Sequence, residues 1–312
     1  MNSPDKLFRR RADLIPFQGT GLSVDLHVPD LFELIGRLEQ SNLPFDYLEL
    51  FRGPFNHLKP VRDTFPSSFQ LAYHADSLWF TLPEFGSSPW EIECEKILRD
   101  TNLLGSAWIT HECAAKQAGG ISFGTYFPPL LTDQSARVAG EQARMIQSYI
   151  DARWNRTGIP PPLLVVETPP FYGFVVGDLP LSRFFREISL HSPCGFLLDI
   201  GHLYTYYLAS GSERIRAPEE FLIAFLDEFP LERVVQIHLA GVKRLTYGYF
   251  DDHGSPVPEI LYAFLEILLN DDRMTSLKGI AFEADTKEIS LIIPEYERFL
   301  RIGGESMGLR GR

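Results

Sequence analysis

The chain has 312 residues, with 29 Lys and Arg against 41 Asp and Glu, for a formal net charge of −12 at pH 7. That balance argues against nucleic acid as a partner, because affinity for a phosphate backbone rests on Lys and Arg, and no apolar run approaches the roughly 20 residues of a membrane span. Three cysteines, Cys94, Cys113 and Cys194, are odd in number and lack C-x-x-C spacing, which argues against a disulfide framework or a thiolate zinc site and fits a reducing cytoplasm.

Residues 1–14 carry Arg9, Arg10 and Arg11 with no apolar stretch or cleavage pattern after them, so they read as a solvated N-terminal arm rather than a secretory signal. Eight short β-type runs follow: Gly19 to Val24, Phe45 to Glu49, Phe69 to His74, Ser106 to His111, Leu163 to Glu167, Gly195 to Asp199, Val234 to His238 and Gly279 to Glu283. Helical periodicity and start signals occupy Pro29 to Leu38, Gln134 to Arg153, Pro218 to Glu228, Val257 to Leu269 and Ile289 to Leu300. Strands that look apolar on both sides and alternate with helices predict an α/β protein, a (β/α)8 TIM barrel, over residues 15–302 as a single domain. An open doubly wound sheet is the alternative, and residues 303–312 read as a flexible tail.

Seven of the eight runs stop on a possible metal ligand: Glu49, His74, His111, Glu167, Asp199, His238 and Glu283. His, Asp and Glu make up 49 of 312 residues, so a strand end would carry one about one time in six. A closed barrel brings all C-terminal strand ends to one mouth, where enzymes of this architecture place their chemistry, whereas an open sheet does not. Two local pairs add to the set. Asp199 and His202 stand at i and i+3 in a strand-to-helix turn, and Asp251 and His253 stand at i and i+2, on one side of an extended segment. His27, His57 and His191 lie away from the pattern.

Nine candidates result: His74, His111, Glu167, Asp199, His202, His238, Asp251, His253 and Glu283. Taken singly, a His or Asp at a strand end is more often a hydrogen-bonded core residue than a ligand. Four carboxylates at one mouth would repel one another, and cations are the simplest compensation. Nitrogen and oxygen donors without sulfur suit zinc, iron or manganese. Nine donors exceed what one ion accepts, so two or three ions are expected. Glu49 and Asp285 are softer candidates for orienting a ligand or acting on substrate, and at least two of Tyr204, Tyr206 and Tyr207 are expected to pack rather than react.

The order His, His, Glu, Asp-x-x-His, His, Asp-x-His, Glu resembles the trinuclear metal site of endonuclease IV and the wider xylose isomerase-like superfamily. The local wording of Gly195-Phe-Leu-Leu-Asp-Ile-Gly-His202, Gln236-Ile-His-Leu-Ala-Gly241, Phe250-Asp-Asp-His-Gly-Ser-Pro-Val-Pro258 and Phe282-Glu-Ala-Asp285 is similar to the multinuclear non-heme iron-dependent oxidative enzymes, domain of unknown function 692, from about Gly19 to Leu300. This resemblance implies a TIM barrel whose nine residues hold two or three irons and which uses dioxygen to remodel cysteines of ribosomally made peptides, often with a separate peptide-delivering protein. Three places depart from the family's wording. Glu49 is followed by Leu50-Phe51-Arg52-Gly53 instead of Asn-Tyr, Glu167 by Thr168 instead of Asn, and His202 stands where Asn is frequent. The last is a change toward the endonuclease IV pattern.

The leading expectation is therefore a cytoplasmic iron-dependent oxidase acting on a cysteine-containing peptide or small thiol. A zinc- or manganese-dependent hydrolase or isomerase of the endonuclease IV or sugar isomerase type is the runner-up. A metal-holding or peptide-binding scaffold without turnover is a third reading.

Overall fold

The computed structural model describes residues 3–246 and 248–311, so the first two residues of the expected arm and the last of the expected tail lie outside the described residues. From the N-terminus the chain forms α1 (Pro4–Ala12), β1 (Gly19–Val24), α2 (Leu31–Gln40), β2 (Tyr47–Phe51), α3 (Phe55–Thr64), β3 (Gln70–Ala75), α4 (Trp90–Leu104) and β4 (Trp108–Glu112). There follow β5 (Ala115–Ala118), β6 (Ile121–Phe127), α5 (Asp133–Arg153), β7 (Leu163–Glu167), α6 (Leu181–His191), β8 (Gly195–Asp199), α7 (Ile200–Ala209) and α8 (Pro218–Glu228). The last elements are β9 (Val234–Leu239), β10 (Val242–Leu245), β11 (Gly248–Asp251), α9 (Glu259–Leu269), β12 (Gly279–Glu283) and α10 (Ile289–Arg310).

Eight of the strands close into a barrel in the order β1-β12-β9-β8-β7-β4-β3-β2. Every neighbouring pair is parallel, and β1 completes the ring by pairing with both β12 and β2. The (β/α)8 TIM barrel expected from the strand and helix alternation is thus the fold, while β2, β3, β4 and β9 each run one or two residues past the ends expected of them. The remaining four strands form two antiparallel hairpins, β5 with β6 and β10 with β11, which extend from the C-terminal ends of β4 and β9. Sequence periodicity missed both. They are short, solvent-facing on most of their length, and lack the continuous apolar character of the buried strands.

Side-chain caps fix where several helices start. Asp30 accepts from Glu33 N at 2.9 Å, Thr132 from Ser135 N at 3.2 Å and Asp199 from His202 N at 2.6 Å, each satisfying an otherwise unpaired first-turn N–H. Gly105 ends α4 in the left-handed conformation, with φ of 74°. Inside the barrel Tyr47 fills the space left by two glycines: a Cβ on Gly21 would stand 2.5 Å from its ring and one on Gly279 3.0 Å from its hydroxyl.

Two terminal segments differ from their sequence-based reading. The arm is a helix rather than a solvated coil: Phe8, Ala12 and Ile15 are buried against Trp108, Leu163 and Val235, closing the N-terminal end of the barrel. Arg233 locks this plug from below. It donates to the carbonyls of Ser189 at 3.0 Å, Ser192 at 2.9 Å and Cys194 at 3.2 Å, with its guanidinium 4.9 Å from the Phe8 ring. The expected tail continues α10, because Met307 is buried and a Cβ on Gly303 would come within 2.3 Å of Ile280, so the helix lies directly on β12. Among the described residues no helix is long and apolar enough to cross a membrane.

Truncating the plug tests its energetic role. Phe8→Ala is expected to lower unfolding free energy by about 3–5 kcal/mol, as for other buried Phe truncations, in a chemical denaturation series; an unchanged midpoint would show that the barrel floor does not depend on α1.

Candidate metal centre at the barrel mouth

Strand side chains alternate in and out, and the parity of each strand decides what reaches the interior. Tyr47, Ala72, Trp108, Val165, Leu197 and Ala281 form the apolar floor together with α1. One pleat nearer the mouth lies a polar layer. Glu49 accepts from Ser23 Oγ at 3.1 Å and from Gln236 Nε2 at 2.9 Å, while Thr110 Oγ1 lies 3.3 Å from Gln236 Oε1. At the rim the same parity presents His74, Glu112, Glu167, Asp199, His238 and Glu283, and β11 with the turn after it adds Asp251 and His253.

These rim groups fall into overlapping triads whose ligand-type atoms lie within 4.8 Å of one another: His74, Glu112 and Glu167; Glu167, Asp199 and His202; Asp199, His238 and Glu283; His202, Asp251 and His253; and His253, Glu283 and Asp285. Glu167, Asp199, His202, His253 and Glu283 each belong to two triads. Shared members are what adjacent cation sites with common carboxylates would require.

Eight of the nine residues expected at the mouth are gathered there, and His111 is not. On β4 the inward positions are Trp108, Thr110 and Glu112, so His111 points outward between Trp79 and Phe80, with ring centroids 6.0 and 5.6 Å away. Both of its nitrogens are engaged: Nε2 accepts from the N–H groups of Ser77 at 3.1 Å and Leu78 at 2.8 Å, so Nδ1 carries the proton and donates to Glu112 O at 2.9 Å. Burial takes this imidazole down to about 4, which keeps it neutral. Glu112, which the sequence reading passed over, takes the interior place. Its signal was available in the period of two counted from Trp108.

The softer candidates also find places. Glu49 is fully buried and its Oε1 lies 2.9 Å from His238 Nε2, so it orients that ring from the layer below. Asp285 accepts from His253 Nδ1 at 2.6 Å. Tyr206 and Tyr207 pack and bond locally, Tyr207 donating to Arg216 O at 2.8 Å, and Tyr204 stacks on Tyr207, so none of the three belongs to the cluster. His27 and His57 pair with each other on the surface, 3.2 Å apart.

Three imidazoles are held in one orientation by a bond at Nδ1: His202 to Thr168 O at 2.6 Å, His253 to Asp285 and His74 to Ala75 O at 3.3 Å. Each therefore presents Nε2 to the cluster, the arrangement by which outer groups fix the tautomer of a ligating histidine. Many of the inward atoms have nothing to bond. Glu112 Oε2, Asp199 Oδ2, Asp251 Oδ1, Glu283 Oε2, His238 Nδ1 and His253 Nε2 are buried without a hydrogen-bond partner. His253 Nε2 is 3.2 Å from Asp251 Oδ2 and 3.4 Å from Glu283 Oε2, and His238 Nδ1 is 3.1 Å from Glu283 Oε1, close but misaligned for a hydrogen bond.

The electrostatics carry the same imbalance. Burial pushes Glu112 well above the usual carboxylate range, and the Glu167 charge adds to it. Burial also takes Asp199 up to about 8, against the pull of His202. At His202, His238 and His253 burial works downward, but the surrounding carboxylates, led by Asp199, Glu283 and Asp251 respectively, outweigh it and raise all three. Burial works upward at Asp251 and Glu283, yet His253 leads the charges that hold both below the ordinary range. In the absence of cations the site balances itself by taking up protons, on Glu112 and Asp199 as well as on the imidazoles. Orphaned buried donors, excess carboxylate and preset Nε2 atoms are together compatible with a metal-binding site.

Comparison with known proteins agrees with this geometry. An endonuclease IV from Thermus thermophilus superposes with a TM-score of 0.53 at 17% identity, over 92% of this chain and 99% of that one. A xylose isomerase domain protein from Planctomyces limnophilus does so with a TM-score of 0.52 at 10% identity, over 95% and 98%. Both are likenesses of fold. A UPF0276 protein of Acaryochloris marina is 22% identical over 206 residues, 65% of either chain, and this chain spans less than two thirds of the length of the relatives it matches. The family model of the RiPP precursor modification enzymes MbnB/TglH/ChrH matches residues 91–299, a stretch that holds every member of the cluster except His74. The family model covers two thirds of the sequence, and the chain belongs to the MbnB/TglH/ChrH family of RiPP precursor modification enzymes.

Proposed function

We propose that this protein is a multinuclear non-heme iron oxidase that uses dioxygen to modify a cysteine-containing peptide or small thiol. The observation that carries the reading is the group of buried carboxylate and imidazole atoms without hydrogen-bond partners, in a chain whose family modifies RiPP precursors. Two or three ions would be held by His74, Glu112, Glu167, Asp199, His202, His238, Asp251, His253 and Glu283, with Asp285 at the rim and Glu112 in the role expected of His111. A separate peptide-delivering protein and a cytoplasmic setting belong to the same reading, and three buried free cysteines suit the latter.

When bound, iron supplies Lewis acidity toward a thiolate and an electron toward dioxygen. The chain's own part is to hold and shield. Thr168 O and Asp285 keep His202 and His253 turned with Nε2 inward, while Glu49, itself fixed by Ser23 and Gln236, faces Nε2 of His238 from beneath and leaves its Nδ1 toward the cluster. The apolar floor keeps water from entering below. Deprotonating the raised imidazoles as cations enter makes loading favoured by higher pH, since each proton released is replaced by a metal charge.

Metal analysis of protein purified without oxygen tests the proposal: more than one iron per chain is expected, with paramagnetic resonance of coupled irons after partial oxidation. Stoichiometric zinc with no dependence on iron would instead favour the hydrolase or isomerase alternative. His238→Ala, Asp251→Ala and Glu112→Gln are each expected to lower metal content while far-ultraviolet circular dichroism stays that of a barrel. His111→Gln, whose amide oxygen can still accept from Ser77 and Leu78, is expected to keep its metal; a loss equal to that of Asp251→Ala would restore His111 as a ligand. Chelation is expected to lower Tm, because ligands that bind only the folded state stabilise it, and readdition of ferrous iron should reverse the change in wild type but not in Asp251→Ala.

A further inference from the structure

A second cavity lies beside the mouth, outside the cluster. It encloses about 430 Å³ between the segment joining β3 to α4 and the tip of the β5–β6 hairpin. Trp79, Leu82, Phe85, Trp90 and Ile92 line one wall, and Gln117 to Gly120 line the other. Phe85 and Trp90 stack at 5.4 Å. The hairpin tip turns through Gly119 and Gly120 at φ of 56° and 78°, with no neighbour within 4 Å of either virtual Cβ, so the wall can approach a bound chain closely.

The two walls differ in charge from the rest of the chain. Among the described residues, the charged side chains that line the groove are Glu84 and Glu93, both carboxylates, while residues 117–132 contain no charged side chain at all. Lys96 pairs with Glu93 at 2.7 Å, and among the described residues Glu84, which lines the groove, has no ion-pair partner. The groove is built from segments that follow the mouth-side ends of β3 and β4. Ser77 lines it three residues after His74 and donates to His111, and Gln117 stands five residues after Glu112.

We propose that this groove binds an extended segment of the peptide substrate in which a lysine or arginine stands next to a large apolar residue. Aromatic faces beside the Glu84 carboxylate attract a cation, Leu82 and Ile92 take the apolar neighbour, and Glu84 repels acidic segments. The inference rests on the peptide-modifying reading above, and assigns the residues that select among peptides rather than those that react.

The test uses the full-length metal-loaded protein and two fluorescein-labelled synthetic decapeptides, each with one cysteine, identical except for a Leu-Arg or a Leu-Glu pair. Fluorescence anisotropy, with tryptophan quenching as a second readout, is expected to give roughly tenfold or tighter binding of the Leu-Arg peptide. Glu84→Lys and Ile92→Ser, both at exposed positions, are each expected to weaken it roughly threefold or more at unchanged metal content. Equal affinity for the two peptides, variants that bind like wild type, absence of binding, or a concentration-dependent dimer abolished by Ile92→Ser would each overturn the proposal. Failure of the iron reading would appear in the metal content and not in these affinities.

Discussion

Crowding of negative charge in a desolvated mouth is the constraint around which the upper half of this molecule is organised. Glu49, Glu112, Glu167, Asp199, Asp251, Glu283 and Asp285 surround only four imidazoles, and among the described residues none of them pairs with a lysine or arginine. Buried carboxylates at such spacing raise one another's proton affinity and draw protons onto neighbouring histidines. The result is a site under electrostatic load that cations would relieve, with several inward atoms left without hydrogen bonds while the outward Nδ1 atoms of His202 and His253 are well bonded.

The barrel makes that load tolerable by separating it from the source of stability. At the N-terminal end, Phe8, Tyr47 and Trp108 fill the interior and α1 seals it. The middle layer of Ser23, Glu49, Thr110 and Gln236 is a hydrogen-bonded network that passes orientation upward to His238. Only above it does the polar cluster begin, in keeping with the division of such barrels into a stable base and a reactive C-terminal face. Asp199 joins the two levels, since it caps α7 through His202 N and turns its other oxygen into the cluster.

Membership of a family that modifies ribosomally made peptides gives the hairpins a context. A shared superfamily fold does not assign a reaction, and the neighbours with known structures differ widely in what their names say they do. Beside this chain's mouth rise two hairpins, with Tyr172 stacked on Phe250 at 4.9 Å and Lys116 fastening β5 to Asp76 at 2.7 Å. They make the entrance a shaped cleft rather than an open rim.

The amino-acid sequence by itself determined the number and order of the eight barrel strands, the closed barrel, and most of the cluster, because apolar runs of strand length and their terminal residues are local facts that survive without knowledge of packing. Asp199 with His202 and Asp251 with His253 were legible for the same reason, as each pair is set by a few consecutive dihedral angles. Only the tertiary structure decided that Glu112 faces inward and His111 outward, that Glu49 serves His238 across the barrel, and that α1 is a plug. These depend on strand parity relative to neighbours and on contacts between residues far apart in the chain, and a one-residue shift in a strand's end, invisible in composition, exchanges the two faces of a sheet.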